Sequence, residues 1–167
     1  MSKLYLITGP AGVGKSTVSK LLAERKEKSA LIEGDDIYHF VKGGYVSPWK
    51  DGNHLEVFWK NCFDIINNFL ECGYDVVFNY IINKEDLEMI IKRFPNIDIM
   101  FVLLLADDEI LIYRDNQRNE DCRMGERVLI LKNDFINQDF PKQYILDTSH
   151  LSVEDIVRKI DNNNYGL

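Results

Sequence analysis

Residues Gly9, Pro10, Ala11, Gly12, Val13, Gly14, Lys15 and Ser16 satisfy the pattern GxxxxGK[ST] at every fixed position. In this spacing glycines let the backbone curl until successive N–H groups converge on one anion, and the start of the following helix adds partial positive charge. Lys15 then reaches the terminal phosphates of a bound nucleotide, the Ser16 hydroxyl stands where it can ligate Mg²⁺, and Thr17 belongs to the same phosphate-binding run. Chance matches to such a pattern arise on the order of once in a few hundred chains of this length. The context makes accident rarer still. The apolar, partly β-branched run Leu4 to Thr8 precedes the motif, and Val18, Leu21 and Leu22 follow at helical spacing. The bland alternative is a glycine turn carrying an exposed lysine. The motif points to nucleoside triphosphate binding and by itself names no reaction.

The rest of the chain alternates strand and helix. Ala30 to Glu33 reads as a second strand running into Gly34, Asp35 and Asp36, and Ile37 to Val41 as a short helix. Lys42 to Asn53, with Gly43, Gly44, Pro48 and Gly52, is a loop suited to face a substrate. From His54 to Cys72 an apolar stripe of period 3.6 predicts a core helix stopped at Gly73. Asp75 to Ile82 predicts a strand, Lys84 to Phe94 a helix closed by Pro95, and Ile97 to Leu105 a strand buried on both faces. Asp107 to Arg118 and Gly125 to Asn137 read as helices separated by the polar break Asn119 to Met124. Gln143 to Leu146 is a last strand, Ser152 to Ile160 a last helix with Ser152 and Asp155 as a capping pair, and Asn162 to Asn164 a fraying tail. The expectation is one domain over residues 1–167, α/β in class, with three α/β/α layers around a five-stranded parallel sheet.

Charge and cysteine content narrow the partners. A net charge of −7 disfavours a nucleic-acid or anionic-lipid surface, and no apolar run approaches the length of a membrane span. Cys62, Cys72 and Cys122 show neither CxxC nor zinc-ligand spacing, so they read as reduced thiols and the cytoplasm is the expected location. His39, His54 and His150 have no ligand spacing and read as surface or structural residues.

With the phosphate loop placed, the chain resembles the small P-loop kinases: shikimate kinase, gluconate kinase, chloramphenicol phosphotransferase and the nucleoside monophosphate kinases. The resemblance rests on the loop after strand one, the acidic cluster after strand two and an arginine-bearing lid, residues 114–127, before the last strand. It implies an ATP-dependent kinase of P-loop NTPase fold, with ATP, Mg²⁺ and a small-molecule acceptor as ligands. It also implies a carboxylate after strand two that assists Mg²⁺ or accepts the acceptor proton, a role open to Asp35 or Asp36, with Asp35 preferred. The competing reading has Asp35 capping the short helix and Asp36 facing solvent. Lid guanidinium groups stabilise the moving phosphoryl group in such kinases. Arg118 and Arg123, flanking the break, are the first candidates, then Arg114 and Arg127; the interleaved Asp115, Glu120, Asp121 and Glu126 would equally suit a solvated ion-paired surface. The loop around Asp147, Thr148 and Ser149 contacts adenine by the same implication, or simply makes a turn.

No acid closes strand three, which runs Phe78, Asn79, Tyr80, Ile81, Ile82, and this weakens a motor or switch reading. Asn79 and Tyr80 could bond or stack with an acceptor or merely end the strand. Tyr45 and Trp49 could stack on a flat acceptor, although covering the edge of the core is favoured. A nucleotide-dependent binding protein or ATPase switch is the alternative function. A nucleic-acid 5′-end kinase is disfavoured by the acidic charge.

Overall fold

The computed structural model describes residues 2–50, 52–120, 123–162 and 165–167. Asp121 and Cys122 of the polar break, and Asn163 and Asn164 of the tail, lie outside the described residues. In chain order the elements are β1 (Lys3–Thr8), α1 (Lys15–Glu24), β2 (Ser29–Glu33), α2 (Gly34–Tyr38), α3 (His54–Glu71), β3 (Asp75–Asn79) and α4 (Lys84–Arg93). There follow β4 (Asp98–Leu105), α5 (Asp108–Asn116), α6 (Arg127–Asn137), β5 (Ile145–Asp147) and α7 (Val153–Asn162). The five strands form one sheet in the order β2-β3-β1-β4-β5, and every pairing between them is parallel. β1 is central, so its carboxyl end, where the phosphate loop begins, lies at the middle of the sheet edge.

Strand alternation produces the layers. Leu4 and Leu6 of β1 join Phe78, Phe101 and Leu103 in a core with Phe58, Ile66 and Leu70 of α3 and Leu87 and Ile90 of α4. Tyr5 and Ile7 point the other way, into a second core with Val77, Met100 and Val102 and with Val18 and Leu22 of α1 and Ile156 and Ile160 of α7. Residues of the central strands are buried on both faces, which is why those segments read as unbroken apolar runs. Each such side chain removed from water contributes about 1.5–3 kcal/mol.

The ends of the helices follow from local chemistry. At the end of α3, Gly73 takes φ +77°. The Tyr74 N–H reaches the Phe69 carbonyl at 3.0 Å and the Gly73 N–H the Leu70 carbonyl at 3.0 Å, a Schellman closure. α4 starts in a capping box between Asn83 and Asp86. Before α7, the Ser152 hydroxyl accepts from the Asp155 N–H at 3.1 Å and donates to its carboxylate at 2.7 Å.

Several bounds differ from the sequence reading; β5 starts at Ile145, after a 3-10 turn at Lys142–Tyr144, and α6 at Arg127, each two residues later than expected. α2 begins at Gly34, three residues earlier than expected. A Cβ at position 34 would lie 2.6 Å from the Tyr80 ring, so the bare glycine lets the chain turn into helix directly off β2. β3 stops at Asn79, because the Ile82 N–H is taken by the Thr8 hydroxyl at 2.8 Å rather than by a strand. Beyond the tail residues that were expected to fray, Tyr165 is buried, and the Phe101 N–H bonds the Tyr165 carbonyl at 2.9 Å while the Leu167 N–H bonds that of Ile99 at 3.1 Å. These bonds cover the edge of β4 that the short β5 leaves open.

Candidate functional site

The phosphate loop is held by a close approach that only glycine permits. Gly9 follows β1 with φ +142°, and a Cβ there would stand 2.3 Å from the Leu104 carbonyl oxygen of β4. Gly12 (φ +78°) and Gly14 (φ +103°) complete the curl that delivers Lys15 to the first turn of α1. The Lys15 ammonium folds back over the loop and donates to the Gly9 carbonyl at 2.9 Å and the Pro10 carbonyl at 3.1 Å. Burial pulls its pKa down to about 8; the Asp35 carboxylate opposes that fall, the Arg118 guanidinium adds to it and Glu33 opposes it. Ser16 and Thr17 are exposed on the outer rim.

Parallel register brings a carboxylate to Ser16. Glu33, last in β2, pairs with Asn79, last in β3. The Ser16 hydroxyl donates to Glu33 Oε2 at 3.2 Å, and the Asn79 amide donates to Ser16 Oγ at 3.1 Å and to Glu33 Oε2 at 2.5 Å. Burial pushes the Glu33 pKa up, the Ser16 hydroxyl works against that rise, and Asp36 and Asp35 add to it. Sequence reasoning named Asp35 for this position and passed over Glu33. The available signal was an acid closing the run Ala30 to Ile32, the place where a parallel strand presents a side chain to ligand.

Asp35 and Asp36 are exposed in the first turn of α2. The residue in the capping position is Glu33, whose side chain makes no cap bond, so Asp35 is not the helix cap. Asp35 acts electrostatically both on Lys15 and on Tyr80, which puts it between the phosphate loop and the aromatic core. Asn79 is buried within the Ser16 and Glu33 cluster, whereas Tyr80 packs against Phe58 at a centroid distance of 4.6 Å.

The segment expected to form a lid is organised around Asp115, a buried carboxylate that the sequence left open to a solvated ion-paired surface. It accepts from the Met124 N–H at 3.0 and 3.2 Å, the Gly125 N–H at 2.9 Å and Arg118 Nη1 at 3.4 Å. Burial would raise its pKa, but the two amides and the guanidinium outweigh burial and hold it below the ordinary aspartate value. Arg114 Nη1 donates to the Val13 carbonyl at 3.0 Å, tying α5 to the phosphate loop. Arg118 is near enough to Lys15 to act on its charge, while Arg123 is exposed and donates to the Arg118 carbonyl at 3.0 Å. Arg127 lies 3.8 Å over the Trp49 ring, and Trp49 is 61% exposed. Trp49 therefore joins the loop before α3 to Arg127 of α6 instead of covering the core edge; Tyr45 does pack edge-on against Tyr38, at 5.7 Å. After β5, Ser149 donates from its hydroxyl to Asp147 at 2.6 Å and the Thr148 N–H bonds the Leu105 carbonyl at 2.8 Å, so these residues make a turn.

A family model described as an AAA domain matches residues 6–132, from β1 through α6. The chain belongs to that family. A guanylate kinase of Bartonella quintana (strain Toulouse) is 26% identical to it over 139 residues, covering 72% of this chain and 62% of the relative. The chain thus spans about three fifths of that relative's length. Among solved structures, the APS kinase of Mycobacterium tuberculosis in complex with AMPPNP and APS superposes with a TM-score of 0.73 at 18% identity, covering 96% of each chain. A gluconokinase from Sinorhizobium meliloti 1021 superposes at 0.67 with 17% identity, covering 95% of this chain and 89% of its own. The fold of this AAA domain is accordingly that of small P-loop kinases.

The arrangement in this AAA domain can hold a polyphosphate between the loop amides and Lys15, and can offer oxygen ligands to a hard cation from Ser16 and Glu33. Among the described residues, no group of three or more His, Cys, Asp or Glu side chains is placed to hold a metal alone. Among them, too, no helix is long and apolar enough to cross a membrane.

Proposed function

We propose that the protein is an ATP-dependent phosphotransferase that moves the γ-phosphoryl group of ATP to a small-molecule acceptor in the cytoplasm. The observation that carries the reading is the convergence of Lys15, Ser16, Glu33 and Asn79 at the phosphate loop, with Asp35 one residue beyond Gly34 on the adjoining helix. The loop from Gly9 to Thr17 binds the phosphates through its backbone N–H groups, Lys15 pairs with the terminal phosphates, and Arg114 steadies the loop through Val13. Asp35 orients the acceptor and takes its proton. Arg118, the lid arginine whose charge reaches Lys15, offsets the negative charge spread over the transferring group, and Arg123 supports it by holding its carbonyl.

Mg²⁺ suits this donor set, since the Ser16 hydroxyl and the Glu33 carboxylate are hard oxygen ligands and a nucleotide's phosphates can complete the shell. Bound there, the ion would neutralise charge on the β- and γ-phosphates. The similarity to a guanylate kinase and the fold shared with APS kinase and gluconokinase support phosphoryl transfer as the reaction class.

The test is ³¹P NMR of Mg²⁺ and ATP with the protein and a panel of nucleosides, nucleotides, sugars and phenolic or aminocyclitol compounds. A new phosphoester resonance growing with ADP, and lost in Asp35→Asn while ATP affinity stays within about threefold, is the expected result. ADP and free phosphate without any phosphoester would instead mark a nucleotide-hydrolysing switch.

A further inference from the structure

Asn79 is 3% exposed, and a buried amide needs partners for its N–H groups. The register of the sheet decides which partners it meets. Asn79 is the last paired residue of β3 on both sides, opposite Ile7 of β1 and Glu33 of β2. Side chains alternate along a strand, so it shares a face with Val77, which joins the core built by Val18 and Leu22 of α1. Asn79 therefore comes up beneath the first turn of α1, where Ser16 lies.

A count of donors and lone pairs shows what this contact does. Asn79 Nδ2 donates to Ser16 Oγ at 3.1 Å and to Glu33 Oε2 at 2.5 Å, and the Ser16 O–H goes to the same Glu33 oxygen at 3.2 Å. A hydroxyl has one donor and two acceptor sites. With its proton held by Glu33 and one lone pair held by Asn79, Ser16 keeps one lone pair for a cation. Glu33 is engaged through Oε2, and its Oε1 accepts no hydrogen bond among the described residues.

An amide also suits the local charge better than an acid. Asp35 and Asp36 already act on Glu33, and a carboxylate at position 79 would set a further negative oxygen at hydrogen-bond distance from Glu33 Oε2. The site thus takes its carboxylate from the end of β2 and its neutral donor from the end of β3, which accounts for a third strand that closes without an acid.

We infer that Asn79 is a positioning residue for the cation that accompanies ATP: acting through Ser16 and Glu33, its amide fixes the hydroxyl and the carboxylate in the arrangement that leaves a Ser16 lone pair and Glu33 Oε1 to the ion. This rests on the reading of Ser16 and Glu33 as Mg²⁺ ligands and deepens it. Removing a neighbour that orients metal ligands in this way weakens metal binding by about 10–100-fold.

Isothermal titration of AMPPNP in EDTA and in saturating Mg²⁺ tests the inference, the ratio of the two affinities being the gain from the metal. Asn79→Ala should lower that gain about tenfold or more, while the affinity in EDTA stays within about threefold of the wild type. A role in folding alone would lower the melting temperature and both affinities together, and leave the gain unchanged. The exchanged pair, Glu33→Gln with Asn79→Asp, keeps one amide and one carboxylate side by side at the same net charge, and so covers the case in which the alanine variant does not fold. It should bring the gain back to within about threefold of the wild type, which Glu33→Gln alone does not. An unchanged gain in Asn79→Ala, or a folded exchanged pair no better than Glu33→Gln, overturns the inference; a gain lowered by Glu33→Gln alone then leaves the metal reading standing. Saturable AMPPNP binding by the wild type with no gain from Mg²⁺ overturns both.

Discussion

Replacing Asp115 with asparagine should loosen the lid by an amount that follows from its hydrogen bonds. The carboxylate accepts two backbone N–H groups, from Met124 and Gly125, at 2.9–3.2 Å, and a guanidinium N–H at 3.4 Å. Hydrogen bonds to a charged group are worth about 1.5–3 kcal/mol each and neutral ones about 1 kcal/mol. Asparagine keeps one acceptor oxygen and turns an NH₂ group toward an N–H donor, so one bond weakens and another becomes a donor–donor conflict. The side chain is only 3% exposed, and water cannot readily repair the loss. The cost is about 2–4 kcal/mol. If the lid unfolds with the domain, that lowers the melting temperature by roughly 4–16 °C at about 2–4 °C per kcal/mol for a domain of this size. If it opens alone, amide exchange at Met124 and Gly125 should quicken by roughly 30-fold or more, the equivalent of about 2 kcal/mol. Circular dichroism melting and hydrogen-exchange mass spectrometry read the two cases. A variant with unchanged melting and unchanged exchange at 124–125 would refute the role given to Asp115.

Nucleotide binding should take up a proton near pH 8. Lys15 has its pKa lowered to about 8, so in the free protein it is part neutral there, and a triphosphate beside it restores the charged form; calorimetry in buffers of different ionisation enthalpy reads the uptake, which should vanish in Lys15→Met. The same shift carries a sign for stability. Between about 8 and the ordinary 10.5 the unfolded chain binds more protons, so Lys15 adds stability as pH rises through that window, and a denaturation series should show a flatter slope there for Lys15→Met. Glu33→Gln should keep the fold, because an amide can still accept from Ser16 at the end of β2, yet should raise the Mg²⁺ concentration needed for half-maximal ATP binding about tenfold; an unchanged Mg²⁺ requirement would remove Glu33 from the metal site.

The phosphate loop was legible because each fixed position in it answers a local demand: left-handed backbone at Gly12 and Gly14, close passage at Gly9, a cation at Lys15. The strands of the parallel sheet were legible for a related reason, since burial on both faces writes an unbroken apolar run into β4. Glu33 was not. Its role depends on the register that sets Glu33 beside Asn79, and on α1 returning Ser16 to that point, which are relations between segments 17 and 46 residues apart. The place of Asp115 was left open for the opposite reason. Beside Arg114 and ahead of the charged break it suits solvent as well as a buried site, and only the turn at Met124 and Gly125 folding back over it makes it a buried centre. Trp49 likewise finds its partner, Arg127, across a long stretch of chain that no periodicity connects.

The account depends on the loop from Gly9 to Ser16 enclosing the phosphates of a nucleotide. Isothermal titration of Mg²⁺ and ATP into the wild-type protein and Lys15→Ala tests this most directly. Saturable one-to-one binding by the wild type, weakened at least 100-fold in the variant with its fold intact by circular dichroism, is the predicted result. Absence of saturable heat in the wild type, or equal affinity in the two proteins, would contradict it.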